Sequence, residues 1–204
     1  MIFINKWNII FILGFTFFIL FIADTAIPQG QYLLIASTIA FLASSSSFAF
    51  DEISNSEFII QSLPVTRKEI VFAKYIGVII NSLISIIYTT FIFFLLDIFG
   101  LLEMNFLNIY LIFMIPLILL LMTSINFPIY FKIGYKKAKI FNIVILVPFF
   151  ILMNAFASNL EKNKSLLLNL IKLPDLDFLI PIVIIAIALL SMAISLRLYT
   201  AKDL

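Results

Sequence analysis

Seven side chains able to form ion pairs crowd into one stretch of this 204-residue chain, DEISNSEFIIQSLPVTRKEIVFAK, which runs from Asp51 to Lys74 between two long apolar runs. Asp51, Glu52, Glu57, Arg67, Lys68, Glu69 and Lys74 suit charge pairing and hydrogen bonding with a polar partner, not the making and breaking of covalent bonds. There is no Cys and no His, which excludes thiol chemistry, disulfides, an imidazole base and zinc sites built on those ligands. Serines are plentiful, yet no paired midplane carboxylate stands by to activate one or to hold a metal, so an intramembrane hydrolase has no support. The phosphate-cradling GxxxxGK[ST] loop is absent as well. We therefore assign no catalytic residue, no metal ligand and no cofactor to the chain, and any energy for work comes from a partner or a gradient.

The elements that hold this stretch follow from composition. Hydrophobic residues make up 64% of the chain and charged ones 12%, with a mean hydropathy of +1.21; soluble domains carry about a quarter charged residues. The sequence describes an integral membrane protein, and its net charge of +2 gives no reason to expect nucleic acid. Six apolar stretches approach or exceed the roughly 20 residues needed to cross a bilayer, near 8–27, 31–50, 70–99, 106–128, 140–158 and 178–198. They are too long and too unalternated for barrel strands. The fold expected is all-α, a single transmembrane domain over 1–204 without internal repeats. Because no A-x-A cleavage pattern follows the first apolar run, it is read as a retained helix and not a signal peptide.

Positive charge is held on the cytoplasmic side of membranes. An N-inside arrangement puts Lys6, Arg67, Lys68, Lys74, Lys132, Lys136, Lys137, Lys139, Arg197 and Lys202 inside, ten of the 13 Lys and Arg residues, and leaves Lys162, Lys164 and Lys172 outside. The expectation is a multi-pass protein of the cell membrane, N-in and C-in. Lys132, Lys136, Lys137 and Lys139 are read as topology determinants and not as a binding patch.

Local signals divide the Asp51–Lys74 stretch in two. Residues 57–63 form a short amphipathic piece able to lie at the interface. Pro64 disfavours helical geometry at Leu63 and breaks the chain. Thr66 then reads as an N-cap, completed by Glu69 as a capping box, so that a new helix begins at Arg67 and runs into the third span. A short helix continuous with a membrane helix is a lever: a protein pressing on it would move the third span.

These residues carry a family resemblance. Glu57, the run Leu63-Pro64-Val65-Thr66-Arg67-Lys68-Glu69-Ile70 and Ala73-Lys74-Tyr75 resemble the cytoplasmic signature of ABC-2 type permeases, which follows their second membrane helix. The resemblance implies that Glu57, Leu63, Pro64, Thr66, Arg67, Lys68 and Glu69 couple the chain to an ABC ATPase through a short cytoplasmic coupling helix between helices 2 and 3. It further implies two ATPase subunits holding ATP and Mg, and a second permease, copy or paralogue. The branch it resembles includes small Gram-positive permeases that export, or give immunity to, antimicrobial and other amphipathic peptides, such as the phenol-soluble modulin exporter. One departure is that only residues 1–7 precede the first span, where family members often carry a longer amphipathic helix. For Arg67 and Lys68 an anchoring role beside anionic headgroups is compatible with coupling.

Polar groups inside spans are candidates for a transport path. Asn81, Ser85, Tyr88 and Thr89 recur at helical spacing in the third span, open equally to lining a path and to joining helices. Ser44 to Ser47 fit close helix packing, and Asn126 and Asn154 read as interhelical hydrogen-bonding groups. Pro116 and Pro148 favour kinks in the fourth and fifth spans. No span carries a midplane carboxylate, which weighs against a proton- or sodium-driven carrier. The function expected is the permease subunit of an exporter of hydrophobic or amphipathic peptides, with drugs or lipids as further cargo classes, because an apolar pocket between Phe- and Ile-rich spans stabilises apolar surface. The alternative is a non-transporting immunity or scaffold protein, which needs no coupling helix.

Overall fold

The computed structural model of the chain describes residues 14, 16, 28–53, 65–101, 109–138, 140–142, 144, 147–149, 151 and 176–201. Four long helices lie among them: α1 (Pro28–Ile53), α2 (Arg67–Ile98), α3 (Ile109–Ile133) and α4 (Leu176–Thr200). All are long and apolar enough to cross a membrane, and the described residues include no strand. They correspond to the second, third, fourth and sixth expected spans. The first and fifth, 8–27 and 140–158, fall mostly outside the described residues, as does all of the interfacial piece 57–63.

Helix ends follow local chemistry. Pro28 opens α1, a position where its missing N–H costs nothing. At the start of α2, Thr66 has extended backbone, its hydroxyl accepts from the Glu69 amide at 3.4 Å, and the Glu69 carboxylate accepts from the Thr66 amide at 2.7 Å; the predicted capping box is present in full. Helix α3 passes its expected end at 128 and continues through Pro128 to Ile133. It closes at Gly134, whose φ of 80° is a left-handed conformation that glycine adopts without strain.

Contacts near the helix ends fix the directions. Lys74 pairs with Asp51, Arg67 reaches Thr200, and the Glu52 carboxylate accepts from the Lys136 amide at 2.8 Å. Helices α1, α3 and α4 thus finish at the end of the bundle where α2 begins. Helix α1 is the most enclosed, with 61% of its apolar stretch buried, against 11% for α4.

Buried residues on α2 recur every three or four positions, at Val71, Tyr75, Val78, Ser82, Ser85, Thr89 and Phe93. Its other face exposes Phe72, Ile76, Ile80, Leu83, Ile87 and Phe91, suited to lipid. Two apolar clusters fill the interior. Near the start of α2, Phe48, Tyr75, Phe127, Tyr130 and Phe131 pack together, with the Phe48 ring edge-on to Phe127 at 4.9 Å and to Phe131 at 5.1 Å. Toward the other end, Tyr32, Ile35, Ile86, Phe93 and Ile115 form the second. No water competes for hydroxyls inside a bilayer, so they turn back onto their own helix: Ser37 donates to the Leu33 carbonyl at 2.6 Å, Ser44 to Ala40 at 2.8 Å and Thr123 to Leu119 at 2.9 Å.

Candidate functional site

Every Lys and Arg among the described residues, namely Arg67, Lys68, Lys74, Lys132, Lys136, Lys137 and Arg197, lies at the end where α2 begins and the other three helices finish. The capping box sets the geometry there. By satisfying first-turn amides that would otherwise lack partners, it starts α2 at Arg67 and turns Lys68 and Glu69 outward, where both are exposed.

Arg67 turns toward the bundle. Its Nη1 donates to the carbonyls of Thr200 at 2.9 Å and Tyr199 at 3.3 Å, which belong to the last turn of α4. The start of the lever helix is therefore bound to the finish of the last helix. Lys74, one turn deeper than Ile70, is largely enclosed: its ammonium pairs with Asp51, donates to the Ser47 carbonyl at 3.0 Å and hydroxyl at 3.2 Å, and sits 4.7 Å from the centre of the Phe48 ring. A cation so placed combines charge pairing with attraction to the ring face. Arg67 and Lys74 together tie the first two turns of α2 to α4 on one side and α1 on the other.

Of the residues expected to couple to a partner, Thr66, Arg67, Lys68 and Glu69 come together in this corner, while Glu57, Leu63 and Pro64 lie outside the described residues. The expected path residues are engaged within the bundle. Asn81 donates to the Ser44 hydroxyl at 3.1 Å, Ser85 donates to the Ser82 carbonyl at 2.9 Å, and the Tyr88 hydroxyl is 3.5 Å from Thr16 Oγ1. Thr89 is fully buried, and its hydroxyl oxygen meets no hydrogen-bond partner among the described residues. Asn126 is buried too and donates weakly to its own helix at Met122, 3.5 Å away; Asn154 lies outside the described residues.

Sequence reasoning missed the polar contacts that join α4 to the bundle. Tyr75 meets Ser191 at 2.7 Å and Ser195 at 3.1 Å, and Ser191 donates to the Ser124 carbonyl at 2.7 Å. The readable signal was the pair of serines four residues apart, followed by Tyr199 four further on, a single face of an otherwise aliphatic helix. The Tyr130 hydroxyl likewise bridges to Asn142, with Ser45 at 3.5 Å.

The family model described as ABC-2 family transporter protein matches residues 1–200. No curated protein and no solved structure matches the chain. That match spans nearly the whole sequence and agrees with an all-helical membrane bundle, as far as the described residues go, whose basic end carries the Thr66–Glu69 corner: the chain belongs to the ABC-2 transporter family.

Proposed function

We propose that the chain is the permease subunit of an exporter that moves hydrophobic or amphipathic peptides, or drugs and lipids of similar character, out of the cell. Members of the family are membrane components without an ATPase site of their own, and they work with an ABC ATPase. In this reading two permeases, identical or paralogous, assemble with two ATPase subunits that hold the ATP and Mg. The basic end faces the cytoplasm, because positive charge is retained there, so both termini are cytoplasmic. The ATPase docks on Glu57, Leu63, Pro64 and the Thr66–Glu69 corner.

The observation that carries this reading is the capping box at Thr66 and Glu69, which makes one 32-residue helix of the exposed corner and the membrane-crossing α2. Force applied at Lys68 and Glu69 acts on the whole of α2. The stripe Asn81, Ser85, Tyr88 and Thr89 lines the path only when α1 parts from α2, since Asn81 is otherwise held by Ser44. Cargo of apolar or amphipathic character suits spans whose free faces are Phe, Ile and Leu.

Purification of the native complex in mild detergent, with mass spectrometry of what accompanies it and an ATPase assay, tests the reading. Recovery of an ATP-binding subunit, its loss on replacing Glu57 and Lys68 with Ala, and stimulation of hydrolysis by amphipathic peptides are the expected results. A chain that purifies alone and is indifferent to those changes would favour the immunity or scaffold role instead. An active complex unmoved by amphipathic peptides would leave the exporter but not the cargo.

A further inference from the structure

Pro128 leaves a gap in α3. A proline has no N–H to give to the carbonyl four residues before it, which here is that of Ser124, and an unpartnered carbonyl inside a bilayer is costly. Ser191 of α4 fills the gap, its hydroxyl donating to the Ser124 carbonyl at 2.7 Å. The direction of the remaining bonds follows. A serine hydroxyl has one proton, and that of Ser191 is committed, so the Tyr75 hydroxyl must donate to Ser191 across 2.7 Å. Tyr75 has then used its own proton, and Ser195 must donate to Tyr75 across 3.1 Å. One directional relay therefore runs from Ser195 through Tyr75 and Ser191 to the Ser124 carbonyl, and it joins α2, α3 and α4.

Helix α4 packs on α3 through Met192, Leu196 and Tyr199, and the relay adds a polar link from it to α2. Tyr75, Ser191 and Ser195 are all buried, with exposures of 7%, 4% and 0%. Most of α4 is aliphatic and exposed, and in lipid such surface gives no drive toward the bundle, which leaves close packing and interhelical hydrogen bonds to hold helices together. The Tyr75 ring is held in place, edge-on to Phe127 of α3 at 5.1 Å. Two turns away, Arg67 holds the last turn of α4 at the membrane edge.

We propose that Tyr75, Ser191 and Ser195 form a latch between α2 and α4, anchored on the carbonyl that Pro128 sets free, and that separating α2 from α4 requires Tyr75 to release Ser191. The latch does not depend on what the chain transports or on what drives it.

Two measurements on the full-length chain in lipid nanodiscs test it. The chain has no Cys, so spin labels on Ile87→Cys in α2 and Ile182→Cys in α4, both lipid-facing, report the spacing of those helices without background. Tyr75→Phe, which removes only the hydroxyl, is expected to lengthen and broaden the distance distribution; one that superimposes on the unsubstituted pair overturns the latch. Pro128→Ala returns an intrahelical N–H to the Ser124 carbonyl. Ser191→Ala is therefore expected to lower the melting temperature clearly in the native background and much less in the Pro128→Ala background, while equal losses in both overturn the anchor.

Discussion

Arg67 at the start of α2 and Thr200 at the finish of α4 are joined by a hydrogen bond of 2.9 Å, guanidinium to carbonyl, across 133 residues of sequence. The last carbonyls of a helix have no partners within it, so Arg67 completes the final turn of α4. Arg67→Ala is expected to raise hydrogen–deuterium exchange in the peptide covering Leu196 to Ala201 and to cost about 1 kcal/mol. Unchanged exchange there would mean that water replaces the guanidinium without loss.

Lys74 is 16% exposed and its partner Asp51 38%, so solvent screens only part of the pair. Lys74→Met keeps the apolar stem but removes the ammonium from Asp51, Ser47 and the Phe48 ring. We expect a loss of about 1–2 kcal/mol, read as a lower melting temperature in detergent. Combining it with Asp51→Asn should recover part of that loss, because the carboxylate left behind is then neutral.

Thr66 starts α2. Thr66→Ala is expected to cost about 1 kcal/mol and Thr66→Ser far less, since serine offers the same acceptor. If the box also makes the corner rigid enough to transmit force, Thr66→Ala lowers peptide-stimulated ATPase activity in the assembled complex, whereas Thr66→Ser leaves it near normal. Equal activity in both would separate the cap from coupling.

Gly134 has φ 80°, and a Cβ built on it would meet the Glu52 carboxylate at 3.7 Å. That separation is ordinary contact, so the backbone alone sets the penalty. Gly134→Ala should cost about 1 kcal/mol, the usual strain of a left-handed L-residue. Glu52→Ala removes the acceptor for the Lys136 amide and is expected to lower the melting temperature in its own right.

The sequence made the start of α2 readable to the residue, because Thr66, Glu69 and Pro64 are local signals that act within one turn. Apolar length located the other described spans to within a few residues at most ends. Helix α3 runs past its expected end through Pro128, where Ser191 of another helix donates to the carbonyl that the proline leaves without a donor, and the serine spacing in the last span does not say which carbonyl it meets. The Arg67 contact was hidden for the same reason: charge counting assigns a guanidinium to a side of the membrane but cannot tell it from its neighbour Lys68, although one is turned inward and the other out. The polar stripe on α2 was visible as spacing, yet its bond from Asn81 to Ser44 depends on the register between two helices, which spacing within one helix does not specify.

Three described helices finish at the basic end and one begins there. Each helix carries a partial negative charge at its C-terminus and a partial positive charge at its N-terminus, about half an elementary charge apiece. Where α1, α3 and α4 end, the backbone of each brings a partial negative charge to that end of the bundle. Lys132 and Arg197 in the last turns of α3 and α4, with Lys136 and Lys137 just beyond, therefore neutralise a field set by chain direction. Reversing any one of these helices would change that field as surely as replacing a lysine.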